Sequence, residues 1–170
     1  MKRGEVIKLN ELELNIINLA TFYKMKRQKF APIIGYKKSV FDTENESLMW
    51  FKERLGILGE FAFAKGYKYL FPDFEFNKNI MTDPGDFKTK EGLWINIKTT
   101  NGINKKLIAI ASSPNKADIY VQMCRVNKLE VVYKGSVTRN NLMKPENIAI
   151  LPGCTMKNYV VDLAEVSHDR

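Results

Sequence analysis

Three short stretches carry side chains able to do chemistry: "GILGEFAFA" holds Glu60, "DPGDF" holds Asp86, and "GLWINIKTT" holds Asn96 and Lys98. In the last, Leu93, Ile95, Ile97 and Thr99 alternate with Trp94, Asn96, Lys98 and Thr100, the period of a half-buried strand. Asn96 and Lys98 therefore share a face, roughly 7 Å apart at the rise of a strand. Carboxylates, an amide and an ammonium act through charge and oxygen lone pairs. Imidazole chemistry is all but excluded, because the sole histidine, His168, lies in a polar tail with Asp169 and Arg170. Cys124 and Cys154 stand thirty residues apart and offer no CxxC pair, zinc site or disulfide framework.

The elements that must position these residues can be read from spacing. Apolar residues Leu12, Ile16, Leu19, Ala20 and Tyr23 predict an amphipathic helix from about Asn10, its candidate cap, to Phe30. It runs into a cationic cluster of Lys24, Lys26, Arg27 and Lys29, which is either a solvated helix end favoured by the dipole or a phosphate-contacting patch. A second helix starts near Thr43, with Glu46 as capping-box partner and Asn45 as a rival cap. Leu48, Phe51, Leu55, Leu58 and Ala62 form its core stripe. Gly56, Glu60 and Ala64 share another stripe. A helical glycine costs about 0.5–1 kcal/mol relative to alanine, so Gly56 and Gly59 point to close approach of a sheet, with Glu60 directed into the contact. The ordinary alternative is a surface glutamate beside a packing glycine.

After Pro72 the chain turns β-rich, with "FEFNKNI", "GDFKT" and "LWINIKTT" read as three strands and "TKEG" closing the last hairpin. "KLIAIAS", "ADIYVQMCRV", "KLEVVYKGSV" and "NYVVDLAEV" supply further strands. Asp83-Pro84-Gly85 is a turn signature, which makes Asp83 structural. Asp86 stands past the turn, where aspartate is disfavoured unless something else requires it. Asn96 and Lys98 have their own ordinary reading, the exposed polar face of an antiparallel edge with Trp94 covering it. Order and length predict one mixed α+β domain over residues 1–170, helical from about 10 to 70 and sheet-rich from about 73 to 165. The charge of +8 favours polyanions. No apolar run reaches membrane-spanning length and no signal-peptide core opens the chain, so a cytoplasmic setting is expected.

A helix glutamate, a strand-start aspartate and an xxK strand ten residues on resemble the PD-(D/E)XK nuclease superfamily, over about residues 47 to 135. The resemblance implies a restriction-endonuclease-like core, with N-terminal helices packed on a central mixed β-sheet. It implies a metal-dependent endonuclease that hydrolyses phosphodiester bonds in DNA, similar in size to phage or mobile-element nucleases, with Mg²⁺ as cofactor and Mn²⁺ as substitute. By that likeness Asp86 is the central metal ligand, the Ile97 backbone carbonyl is another, and Glu60 holds a second metal or its water. Lys98 positions the attacking water and offsets negative charge. Lys24, Lys26, Arg27, Lys105 and Lys106 would follow the substrate backbone, and a homodimer would let the enzyme cut two strands.

Asn96 departs from the pattern, which has Asp or Glu at that position. Its amide oxygen is a neutral, poorer ligand for a hard cation. Either it is tolerated, with Asp83 or Glu75 substituting, or the scaffold binds nucleic acid without cutting it, or a carboxylate was deliberately replaced. The rival function is thus a non-catalytic nucleic-acid-binding protein on the same scaffold. A basic interaction module is a third reading, in which Glu60, Asp86 and Lys98 would not converge.

Overall fold

The computed structural model describes residues 1–30, 46–68, 85–102, 106–112 and 117–163. The first helix, α1 (Glu11–Phe30), begins with a reciprocal cap. Asn10 Oδ1 accepts from the Glu13 N–H at 2.9 Å, and Glu13 Oε2 accepts from the Asn10 N–H at 2.7 Å. Two donors that a helix start leaves unsatisfied are thereby met, as the expected Asn10 cap requires. The second helix, α2 (Glu46–Tyr67), buries Ile57, Leu58, Phe61, Ala62, Phe63 and Ala64. Its expected core stripe holds at Leu58 and Ala62 but not at Leu48, which is 44% exposed. The proposed caps Thr43 and Asn45 lie outside the described residues, as does the strand expected at "FEFNKNI".

Eight strands follow the order β1 (Val6–Lys8), β2 (Phe87–Lys88), β3 (Trp94–Asn101), β4 (Lys106–Ile110), β5 (Ile119–Arg125), β6 (Glu130–Thr138), β7 (Ile148–Ile150) and β8 (Lys157–Asp162) among the described residues. A short helix, α3 (Arg139–Leu142), and a 3-10 turn over Pro145–Asn147 lie between β6 and β7. One sheet runs β1-β6-β5-β3-β2 and a smaller one β4-β8-β7. The larger is mixed: β3 pairs parallel with β5, and the other ladders are antiparallel. The hairpin over "TKEG" is present, closed by the Thr89 N–H to Leu93 O at 2.8 Å and the Gly92 N–H to Thr89 O at 3.0 Å. The strands thus form no simple meander, because β4 leaves for the second sheet and the chain returns to pair β5 beside β3.

Two cores result. Leu14, Ile17, Leu58, Phe61 and Phe63 of the helices pack on Ile95, Ile97, Val121, Met123, Val131 and Tyr133 of the larger sheet. On its other face, Tyr120 and Val137 pack against Leu107, Ala109, Val161 and Leu163 of the second sheet. Strand β6 serves both because its register to β5 shifts between Gln122 and Met123, leaving Lys134 as an extra residue beside Gly135 at φ +136°. Such a bulge re-aims the side chains beyond it. The mixed α+β class expected from the sequence is observed, with helices on one face of a mixed sheet. No helix among the described residues is long and apolar enough to cross a membrane.

Candidate active site

A glycine brings α2 to β3. A Cβ at Gly59 would lie 1.8 Å from Thr99 Oγ1 and 2.9 Å from Thr99 Cβ, so the helix can sit this close only without a side chain there. Gly56, expected to share this role, makes no such contact, since a Cβ added there would meet nothing within 4 Å. Glu60 follows Gly59 directly and is half-buried at the helix–sheet boundary.

Just before β2 begins, Asp86 takes over the edge of β3. The Asp86 N–H donates to Ile95 O at 2.7 Å, and Asp86 Oδ2 accepts from the Ile97 N–H at 2.5 Å. The side chain thus satisfies a strand donor that β2 does not reach, since β2 pairs only Phe87 with Ile95 and Lys88 with Trp94. This need explains an aspartate where strands usually avoid one. Gly85 lets the chain enter, because a Cβ there would meet Ile95 O at 2.7 Å. A strand residue sends its N–H and C=O to the same neighbour. Trp94 O accepts from the Asp118 N–H on the β5 side, whereas Ile95 O and the Ile97 N–H bond toward Asp86. The Ile97 carbonyl therefore faces the edge that Asp86 occupies.

The charges of this region act on one another. Burial and then the Asp86 carboxylate push the Glu60 carboxyl up to about 8, with Glu53 adding and Lys24 and Lys98 opposing. Burial lowers the Lys98 ammonium below its ordinary value, while Asp86 and Glu60 resist that shift and Lys24 reinforces it. Burial also works against charge on Lys24, yet Glu53, Glu60 and Asp86 together outweigh it and raise the group. Lys24 Nζ lies 2.7 Å from Glu53 Oε2, tying α1 to α2 at the same place. Asp86 is thus bonded to the Ile97 backbone, with Glu60 and Lys98 within electrostatic range of its carboxylate.

Asn96 is held differently. It is 5% exposed, and its Oδ1 is buried with no hydrogen-bond partner among the described residues. The exposed-edge reading of this face is therefore overturned: the second sheet covers it, and Trp94 packs into that second core. Ile95, Ile97 and Thr99 turn to the helices, so Asn96 projects from the opposite face, beside Tyr120 in the β3–β5 register. Lys98 starts from that same face next to Gln122, but its longer side chain brings its charge within range of Asp86 and Glu60.

Of the expected backbone-following cations, Lys24 is in the charge network, Lys26 is exposed with Nζ 5.2 Å from the Phe22 ring centre, and Lys106 is exposed at the start of β4. The side chain of Arg27 and all of Lys105 lie outside the described residues, as do Asp83 and Glu75. Sequence reading missed the Lys24–Glu53 link. Glu53 precedes Glu60 by seven residues, two helical turns on one face, which was the available signal. No group of three or more histidine, cysteine, aspartate or glutamate side chains is placed to hold a metal among the described residues. The oxygen ligands on offer are two carboxylates, the Ile97 carbonyl and one amide. No protein-family model, characterised protein or solved structure matches the chain.

Proposed function

We propose that the chain is a metal-dependent endonuclease that hydrolyses phosphodiester bonds in DNA, on a restriction-endonuclease-like core of the PD-(D/E)XK type. The observation supporting this is that Asp86, bonded to the Ile97 N–H at the β3 edge, lies within electrostatic range of both Glu60 and Lys98, which a chance motif match would not require. The donor set suits Mg²⁺ or Mn²⁺: oxygen atoms alone, and two carboxylates whose repulsion a divalent cation would offset. Asp86, Glu60 and the Ile97 carbonyl would hold it, while the buried Asn96 amide, which starts from the other face of the sheet, adds no charge to the set. Bound there, the metal would polarise the phosphate and lower the pKa of water.

The chain's own residues would do the rest. The Ile97 N–H fixes the Asp86 carboxylate against the strand edge. Lys98, partly desolvated, presents positive charge to a phosphate oxygen, where a low local dielectric strengthens it. Glu60 holds a proton near neutral pH and yields it to a cation. Both cysteines are free thiols, in keeping with the cytoplasmic setting we propose.

The test compares this chain with Asn96→Asp on supercoiled, linear, single-stranded and branched DNA with Mg²⁺, Mn²⁺ or EDTA. Metal-dependent cutting by either form supports the enzyme, and cutting by the aspartate form alone identifies Asn96 as the disabling residue. Salt-sensitive binding without cutting by either form favours the second reading, a non-catalytic nucleic-acid binder. The specific observation behind that reading is a neutral, buried amide where the family pattern has a carboxylate. Neither binding nor cutting would end both readings.

A further inference from the structure

Two arginines, one within α2 and one at the end of β5, form a cluster that the candidate active site does not use. The Arg54 guanidinium lies 5.5 Å from the Trp50 ring centre, and that of Arg125 lies 6.0 Å from the Phe51 ring centre. Each spends its Nε–H on a neutral acceptor: Arg54 on Asn18 Oδ1 at 2.7 Å, Arg125 on the Asn127 carbonyl at 3.1 Å. Among the described residues, neither guanidinium is in an ion pair. All four side chains are half-buried.

We infer that Arg54 and Arg125 together form a binding site for a backbone phosphate of nucleic acid, separate from the Asp86–Glu60 centre. A guanidinium drawn to a ring by cation–π attraction, with its Nε–H already bonded, keeps its remaining N–H donors for an acceptor. Its orientation is fixed before the ligand arrives, so little rotamer freedom is lost on binding. Two such forks, with no ion-pair partner among the described residues, offer donors that suit phosphate oxygens. The rings they lie against, Trp50 and Phe51, are consecutive residues of α2, and burial followed by the charge of Arg125 holds Arg54 below its ordinary value. A phosphate would relieve that repulsion.

Position favours nucleic acid over an isolated anion. Arg125 pairs in register with Asn101, three residues along β3 from Lys98. That is on the order of 10 Å, about three nucleotides of rise along one strand. Arg125 lies on the helix-facing side of the sheet, and Lys98, which starts from the other side, brings its charge back toward Glu60 and Asp86. A strand passing that edge would therefore meet the arginine pair a few nucleotides on. This deepens the proposed function by giving the substrate a second anchor, and it rests on that reading only in taking nucleic acid as the ligand.

The experiment is metal-free binding, measured in EDTA by fluorescence anisotropy with a short fluorescein-labelled single-stranded DNA and its duplex, over a salt series. Arg54→Gln/Arg125→Gln is compared with wild type and with Lys2→Gln/Lys157→Gln, which removes equal charge from two exposed sites. The expected result for the arginine pair is about tenfold or more loss of affinity at low salt, and a slope of log affinity against log salt shallower by about one. The lysine control should change much less. If the glutamine pair does not fold, Arg54→Lys/Arg125→Lys keeps the charge but loses the fork, and several-fold weakening is expected. Affinity equal to wild type in the folded arginine variant, or an equal loss in the lysine control, would overturn the site while leaving the nuclease reading intact. Arginine-dependent binding, with no cleavage under any metal by this chain or its Asn96→Asp form, would sustain the site and sink the nuclease. No binding by wild type would overturn both.

Discussion

At Glu60 the protein holds a carboxyl whose proton affinity is raised from 4.5 to about 8 by burial and by Asp86. Between those values the folded chain keeps a proton that the unfolded chain has lost. Stability is therefore fully present below the ordinary value and falls as pH rises through the window. Urea unfolding of the metal-free protein should show a lower free energy at pH 8.5 than at pH 5.5, and Glu60→Gln should flatten the difference. An unchanged slope in the variant would assign the pH dependence elsewhere. A divalent cation competes with that proton, so Mg²⁺ should raise the unfolding midpoint more at the higher pH. Asn96 supplies a contrasting case. A buried acceptor without a partner costs roughly 1–3 kcal/mol, whereas an apolar group of similar shape carries no such penalty. Asn96→Leu should thus leave stability unchanged or raise it by up to about 1 kcal/mol in metal-free thermal unfolding, while abolishing any cation binding that uses its oxygen. A large loss of stability would mean that the amide is held by its nitrogen.

The elements show where sequence reading stops. The first helix and its start were legible because a cap is a local event, and Asn10 and Glu13 make it between themselves. Strands β1 and β7 are each three residues long, too short for any period, and exist through their partners β6 and β8. Asp86 stood out because a strand-start aspartate contradicts local preference, and the Ile97 N–H supplies the reason. Lys24 could not be placed, because its role depends on how α1 packs on α2. The helical glycines were noticed, but the stripe drawn at a spacing of four ran through Gly56, whereas the contact belongs to Gly59, three residues on. Gly59→Ala would drive a methyl group into Thr99, and overpacking of this kind costs about 1–3 kcal/mol. Thr99→Ala should restore much of that loss in the double variant, with a coupling energy on the order of 1 kcal/mol in a denaturation cycle. Strict additivity would show that α2 does not rest on Thr99.

At the scale of the whole molecule, the +8 charge was read directly from composition, but how it is spent was not. Lys24 is engaged with Glu53 and feels Glu60 and Asp86, so its charge is largely answered within the protein. Lys26 and Lys106 are exposed at separate points on the surface. Only cations that meet phosphates release counterions, so equal losses of formal charge should have unequal effects. Lys26→Gln and Lys106→Gln, where they contact the strand, should each flatten the salt dependence of DNA binding by about one in slope. Lys24→Gln should leave that slope nearly unchanged and act on stability instead, because it strips the counter-charge from a carboxylate cluster. It should also push the Glu60 proton affinity higher still, since Lys24 opposes that shift. Titrated binding across a salt series, run beside unfolding curves for the same three variants, separates the two roles. A Lys24 variant that keeps its stability but loses salt-dependent binding would return Lys24 to the phosphate-contacting patch first expected of it.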